Sequence, residues 1–336
     1  MGGIYVQEII CDLTKKFGLK AIKNIPFKDY YIVVTSIGTF ALKKIDYSAW
    51  EILFIHNAKE YLVNNGFDSI DRYITVHGVP YVELGKEYYV MTRLIKGRQC
   101  SFINLTDVCK GSKALADLHQ ASNGYYYEIK NKIRSNIGKL QEQYLERCQD
   151  FIYIKSLVKM KIQKERIDML FLKYIDMLHD MAMESVVMLQ NNGYFEICEE
   201  ASRENYLCHN AYNHNNIIID KHDKLNIINF DYCKFDLRCV DIANFISDAM
   251  DRLNWDFESA LKILDSYNDV RQIEEREYKL MVSFLQFPIE IWEIATEYYY
   301  QEHDCFKKRY YIELKNKIEK IPYKIEFLKK YKERFI

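Results

Sequence analysis

The chain has 336 residues, with 47 Lys plus Arg against 48 Asp plus Glu and a formal net charge of −1. That length allows two lobes, each with its own core, and a hydrophobic content of 49% can fill them. The even balance of charge excludes a global field that would steer the protein onto nucleic acid or a lipid surface, so any charged partner must be met locally.

The nine Cys are scattered singly, with no CxxC pair and no Cys/His cluster at metal-ligand spacing. Reduced, buried thiols in a protein made in the cytosol are expected. The N-terminal "MGGIYVQEIICDLTKKFGLK" lacks a basic stretch followed by an apolar core, and no run stays apolar for about 18 residues. Neither a signal peptide nor a membrane span is expected. Gly (12) and Pro (4) are both scarce, so the lobes should join through a short, ordered connection.

In chain order, "LKAIKNI", "YYIVVTS" and "TFALKKI" read as three strands, with a turn at Ile37-Gly38. A helix follows from about Tyr47 to Asn65, with Trp50, Leu53, Phe54, Ala58, Tyr61 and Leu62 as its apolar stripe and Gly66 past its end. Two further strands, "RYITVHG" and "EYYVMTRL", are expected to flank a turn at Leu84-Gly85-Lys86. The fold class is therefore α+β. A β-rich lobe through residue 94 precedes a mainly helical lobe from 95 to 336, with a hinge near Thr92 to Gly97. In the second lobe, "LTDVCKGSKALADLHQAS" and most of the stretch from Arg134 to Gln190 read as helix. The polar loop "CHNAYNHNN" then leads into two short strands, "NIIID" and "LNIINF", joined at His222-Asp223-Lys224, and helices dominate from Val240 onward. Residues 306–336 hold 11 Lys/Arg against 4 Glu, interleaved with apolar residues at helical spacing. A solvated face on a packed helix is the expectation, without nucleic-acid binding.

Several of these stretches resemble the protein-kinase-like superfamily. "FALKK" is similar to the strand that presents a Lys, here Lys43, to the phosphates of ATP. "ALADLHQAS" resembles a helix of aminoglycoside and choline kinase relatives that reads Leu-His near its end, at Leu118-His119. "HNAYNHNN" sits where those relatives have the catalytic loop HGDxxxxN, and "IINFDYCKFDLRCVDIANF" where they have IDF and a distal Asp-Ile-Ala. A narrower resemblance is to the CotS-type spore-coat family, carried by "FDYCKFDLRCVDIANFI", "AKEYLVNNGF" and "FPIEIWEIATEYY" from Lys20 onward. The resemblance implies a two-lobed kinase-like fold, a location in the spore coat and other coat proteins as partners. It implies a cleft for ATP and magnesium, lined by Lys43, Glu60, Met91, Arg93, Asn216 and Asn229. Glu60 would pair with Lys43.

The loop departs from the active pattern. Ala211 stands at the position of the catalytic Asp, and Asn229 at that of the IDF metal carboxylate. Loss of a general base typically costs about 10²- to 10⁴-fold in rate, and an amide in place of the carboxylate removes a full charge from a hard-cation site. Asp231, two residues on, lies on the same face as Asn229 if the segment is a strand, and would then be the remaining metal ligand beside Asn216 and Asn229. His209 is expected to brace the loop, and Asp241 to bind its amides beside Arg238. The leading expectation is a kinase-fold protein without phosphotransfer, serving as a structural or docking component of the spore coat. The alternatives are an active ATP-dependent phosphotransferase for a sugar or amino-alcohol hydroxyl, and a nucleotide-sensing pseudokinase. The 28 Tyr would suit oxidative cross-linking in a coat layer.

Overall fold

In the computed structural model, which describes residues 2–127, 134–300 and 307–336, the first element is a helix, α1 (Gly2–Lys16). It was not anticipated, although Ile10, Leu13 and Phe17 are spaced to share one helical face. They pack with Val33, Phe40, Leu42, Val82 and Met91 in a core that covers the outer side of the sheet. The sheet contains β1 (Ala21–Phe27), β2 (Tyr30–Thr35) and β3 (Gly38–Ile45). After helix α2 (Ala49–Asn64) it is completed by β4 (Val82–Leu84) and β5 (Glu87–Arg93), antiparallel throughout in the order β1-β2-β3-β5-β4. Alternation along β3 buries Phe40 and Leu42 in the outer core and turns Ala41 and Lys43 to the opposite, cleft side.

Two expectations fail in this lobe. "RYITVHG" is not a strand: Tyr73 makes one isolated bridge to Thr92, and a turn at His77-Gly78 brings Val79 back onto Val76. The strand that pairs with β5 is the three-residue β4. On α2 the buried residues are Ile52, Phe54, Ile55, Ala58, Lys59 and Leu62, whereas Trp50 is 71% exposed. The helix is rotated from the expected stripe, and its buried face includes a lysine.

Beyond the hinge, β6 (Arg98–Gln99) leads into α3 (Leu105–Ala121), α4 (Leu140–Met160), α5 (Arg166–Asn191) and α6 (Tyr194–Glu204). Strand β7 (Leu207–Cys208) precedes the polar loop, and the hairpin β8 (Ile217–Ile219) and β9 (Leu225–Ile227) follows it. β6 adds to this hairpin in the order β6-β8-β9, while β7 pairs with β10 (Lys234–Phe235). The remainder is helical: α7 (Arg238–Arg252), α8 (Phe257–Asn268), α9 (Glu275–Gln286), α10 (Ile289–Tyr300) and α11 (Lys307–Phe335). The basic C-terminal segment is this last helix, packed through Leu314, Ile318, Ile321, Phe327 and Tyr331, with Lys324 buried against the Phe287 carbonyl and most of its other charges exposed. No helix among the described residues is long and apolar enough to cross a membrane.

Candidate functional site

A cleft of about 460 Å³ opens between the five-stranded sheet and the β8–β9 hairpin. Ala41 and Val90 form its apolar roof, and Ile218 and Ile228 its floor. Leu94, Ile95 and Gly97 close one side. Gly97 is required by close approach: a Cβ there would stand 2.3 Å from the Ile219 carbonyl oxygen, a backbone atom held in the β6–β8 pairing. Among the described residues, none of the backbone hydrogen bonds outside helices and strands uses Ile95 or Lys96, which leaves this edge of the hinge uncommitted to such turn or loop contacts.

The deep end is built around Lys43. Its Nζ lies 2.6 Å from Asp231 Oδ2 and 3.1 Å from Asp29 Oδ2, so one ammonium bridges the β1–β2 turn and the C-lobe. Burial works against the lysine's charge, but the two carboxylates outweigh it and hold the pKa above the ordinary value. Asp231 Oδ1 accepts a 3.0 Å hydrogen bond from the Tyr47 hydroxyl. Arg134 donates to the Asp231 carbonyl oxygen, lies over the Tyr47 ring and pairs with Glu51 at 3.1 Å. Asp231 does not reach the cleft from a strand. It sits on a single 3₁₀ turn (Phe230–Tyr232) that follows Asn229, whose φ of 66° swings the chain around. Asn tolerates that left-handed conformation better than most residues.

The loop from Cys208 to Asn216 is held by groups that face inward. Asp241, 1% exposed on α7, accepts from the His209 amide at 2.7 Å and the Asn210 amide at 2.8 Å. The His209 ring is fully buried; its Nε2 donates to the Ile228 carbonyl at 3.1 Å and its Nδ1 accepts from the Ala211 amide at 3.2 Å. That pattern needs a neutral imidazole, and burial lowers its pKa accordingly. Asn213 caps the Asn215 amide at 3.0 Å through its side chain, and Asn216 Nδ2 donates to the Ala211 carbonyl at 2.8 Å. His214 pairs with Asp248 at 2.9 Å on the side of α7.

His119 from α3 completes this cluster, with Nε2 3.3 Å from Asp241 and Nδ1 2.7 Å from the Tyr267 hydroxyl. Burial pushes its pKa from 6.5 down to about 4. Between those values the unfolded chain binds a proton that the folded chain does not. Stability contributed by the neutral ring is therefore present above about pH 6.5 and lost as pH falls toward 4, by about 3 kcal/mol in all. Asp236, whose buried carboxyl is pushed up to about 6, works in the opposite sense over an overlapping range. A comparison with His119→Gln isolates the histidine: the wild type should lose more stability than the variant between pH 6.5 and 4 in urea unfolding. Parallel curves would refute the assignment.

The floor of the cleft carries a second buried charge pair. Lys59 of α2, 1% exposed, lies 3.0 Å from Asp71 Oδ1 and donates to the Asp71 carbonyl at 2.7 Å. Its ammonium stands 4.0 Å above the centre of the Tyr73 ring. Asp71 Oδ2 accepts the Asn229 amide at 3.2 Å. The backbone before Asp71 is fastened to β9, where the Ile227 amide donates to the Ser69 carbonyl at 2.8 Å.

This arrangement can be set beside known proteins. The family described as "Spore coat putative kinase YutH" matches residues 11–331. The chain belongs to that spore-coat kinase-like family. It is 22% identical over 309 residues to spore coat protein S of Bacillus subtilis (strain 168), covering 90% of this chain and 86% of that protein. Among solved structures, it is similar to an aminoglycoside phosphotransferase from Alicyclobacillus acidocaldarius subsp. acidocaldarius DSM 446. The TM-score is 0.85 at 20% identity, covering 96% of this chain and 95% of the other. Spectinomycin phosphotransferase APH(9)-Ia, solved with ADP and spectinomycin, gives 0.68 at 12% identity, with 92% and 93% covered. The fold is the two-lobed kinase-like one.

For this member of the YutH family, the structure gathers Lys43, Arg93, Asn216, Asn229 and Asp231 around the cleft and sets two expected residues elsewhere. Glu60 does not pair with Lys43. Its carboxylate is taken by Arg72, with Nε 2.9 Å from Oε1, and it lines a second cavity behind the hinge with His56. One residue along a helix is a rotation of about 100°, and it is Lys59 that points inward. Met91 is fully buried in the outer core, because alternation along β5 gives Val90 and Thr92 to the cleft. Arg238 is beside Asp241 on α7 but turns its guanidinium elsewhere. It donates to Asn123 and lies 3.6 Å over the Tyr206 ring, and His119 has the expected place. Asp29, Tyr47, Lys59 and Asp71 were not singled out from sequence. Only Lys59 carried a signal, as a lysine within the apolar spacing of Ile52, Ile55 and Leu62.

Proposed function

We propose that the chain is a kinase-fold component of the spore coat that docks other coat proteins and does not transfer phosphate. The observation that carries this reading is the side chain of Ala211. A methyl group stands at the catalytic Asp position in a loop where His209, the Asn210 amide and Asn216 are engaged with backbone and with α7. No carboxylate of that loop is left to take a proton from a substrate hydroxyl. An adenine nucleotide is the proposed occupant of the cleft, by likeness to the ADP-bound neighbour, with Lys43 and Asn216 on its wall.

The magnesium that accompanies nucleotides in active kinases has a poor fit here. Both Asp231 oxygens already have donors, and Asn229 is neutral with its Nδ2 turned toward Asn216 Oδ1 at 3.4 Å. Hard divalent cations require several oxygen ligands, normally with carboxylate charge. No step of the reading runs through the metal.

The purified protein, incubated with ATP, magnesium and a panel of sugars and amino alcohols, should consume ATP at the buffer rate. Ala211→Asp should leave that rate unchanged, since Asn229 remains uncharged. Turnover by the wild type that disappears in Asp231→Ala would overturn the reading in favour of an active phosphotransferase.

A further inference from the structure

Resting on the adenine-site reading, we propose that the cleft binds the nucleoside portion of its ligand without a divalent metal, and that Asp29 and Asp231 exclude a polyphosphate from the deep end. The charged side chains lining the cleft are Lys28, Lys43 and Arg93 against Asp29, Asp71 and Asp231, and they cancel. A triphosphate therefore meets no surplus of positive charge. The lysine that would receive it is already held by two carboxylates on opposite sides, one from each lobe. A phosphate that reached Lys43 would lie within a few Å of both acids, and its attraction to one ammonium would be opposed by repulsion from two like charges.

Metal could ordinarily relieve that repulsion by bridging carboxylate and phosphate, but the donor set does not supply a site. Lys43 Nζ and the Tyr47 hydroxyl cover the Asp231 oxygens, and the other two residues offer amides. In effect the lysine ammonium is the resident counter-ion of Asp231. The β1–β2 turn adds to the barrier. It contains no glycine whose amide could approach a phosphate closely, and it carries Asp29 at the point nearest Lys43.

The rest of the cleft has the opposite character. Ala41 and Val90 face Ile218 and Ile228 across a volume of about 460 Å³, within the range of small-molecule sites. An apolar slot bordered by Ile95 suits a flat heteroaromatic ring with hydrogen-bonding edges. Ring and ribose are thus accommodated and the phosphate tail is not.

Isothermal titration of the full chain with adenosine, AMP and ATP, each with magnesium or with EDTA, tests this. Adenosine should bind at least as tightly as ATP, and magnesium should change the apparent ATP affinity less than about twofold. Asp29→Asn should shift the ATP-to-adenosine affinity ratio toward ATP by about fivefold, the worth of one unit charge a few Å away in water. ATP binding ten or more times tighter than adenosine and dependent on magnesium would overturn the proposal while leaving the adenine-site reading intact. Absence of binding by all three ligands would overturn both. Phosphotransfer is a separate readout and touches neither outcome.

Discussion

Asp241→Ala should destabilise the protein by about 3–5 kcal/mol and lower its melting temperature by several degrees. The carboxylate is 1% exposed and accepts from two backbone amides and one histidine ring. Removing it leaves the His209 and Asn210 amides without their acceptor in a site that water does not enter, at about 1–3 kcal/mol for each stranded donor. The Asn210 backbone, at φ 58°, is then no longer tied in its left-handed conformation. Asp241→Asn, which keeps one acceptor oxygen of similar shape, should fall between the two. Thermal and urea unfolding followed by circular dichroism measure both variants, and an Asp241→Ala protein that melts with the wild type would show that the loop stands without its carboxylate. The same network gives the polar loop its composition. Asn213, Asn216 and His209 satisfy backbone groups around Ala211, so much of the loop's hydrogen-bonding capacity serves the architecture of the helical lobe.

How far the sequence revealed this arrangement depends on the range of each contact. Elements with strong local periodicity were legible: the Lys43 strand, α3, the β8–β9 hairpin and α7 lie where the pattern puts them. Tyr73 to Gly78 has strand-like composition, yet the turn at His77-Gly78 and the short β4 take the edge of the sheet instead. Propensity alone cannot choose between neighbouring edge segments. The phase of α2 was a failure of a different sort. Spacing sets which residues share a face but not which face meets Lys43, so Glu60 was expected where tertiary packing turned Lys59 inward. The partners of Lys43 were least accessible, since Asp231 is 188 positions away and reaches the cleft only through the left-handed turn at Asn229. The motifs therefore located the cleft, while its charge pairing became visible only in three dimensions.

That charge pairing yields the second large effect. Lys59→Ala should cost about 3–5 kcal/mol, the usual penalty for stranding one member of a buried ion pair. Asp71, 14% exposed at its side chain, would lose the one cation that pairs with it among the described residues and keep the Asn229 amide as a donor to its carboxylate. The aliphatic stem and the ammonium over Tyr73 would be lost as well. Lys59→Met retains much of the stem and should cost less, and Lys59→Met combined with Asp71→Asn should cost less than the two single changes added together. A coupling of about 1 kcal/mol or more in that cycle, read from urea midpoints, assigns the loss to the pair and not to packing alone. Full additivity, or a Lys59→Ala cost below about 1 kcal/mol, would mean that solvent screens the pair despite its burial. Because Asp71 binds the Asn229 backbone, the substitution should also loosen the turn that presents Asp231 to Lys43. The Lys59 variants should therefore shift the ATP-to-adenosine affinity ratio toward ATP, whereas a destabilising change remote from the cleft, such as Tyr331→Ala in α11, should not.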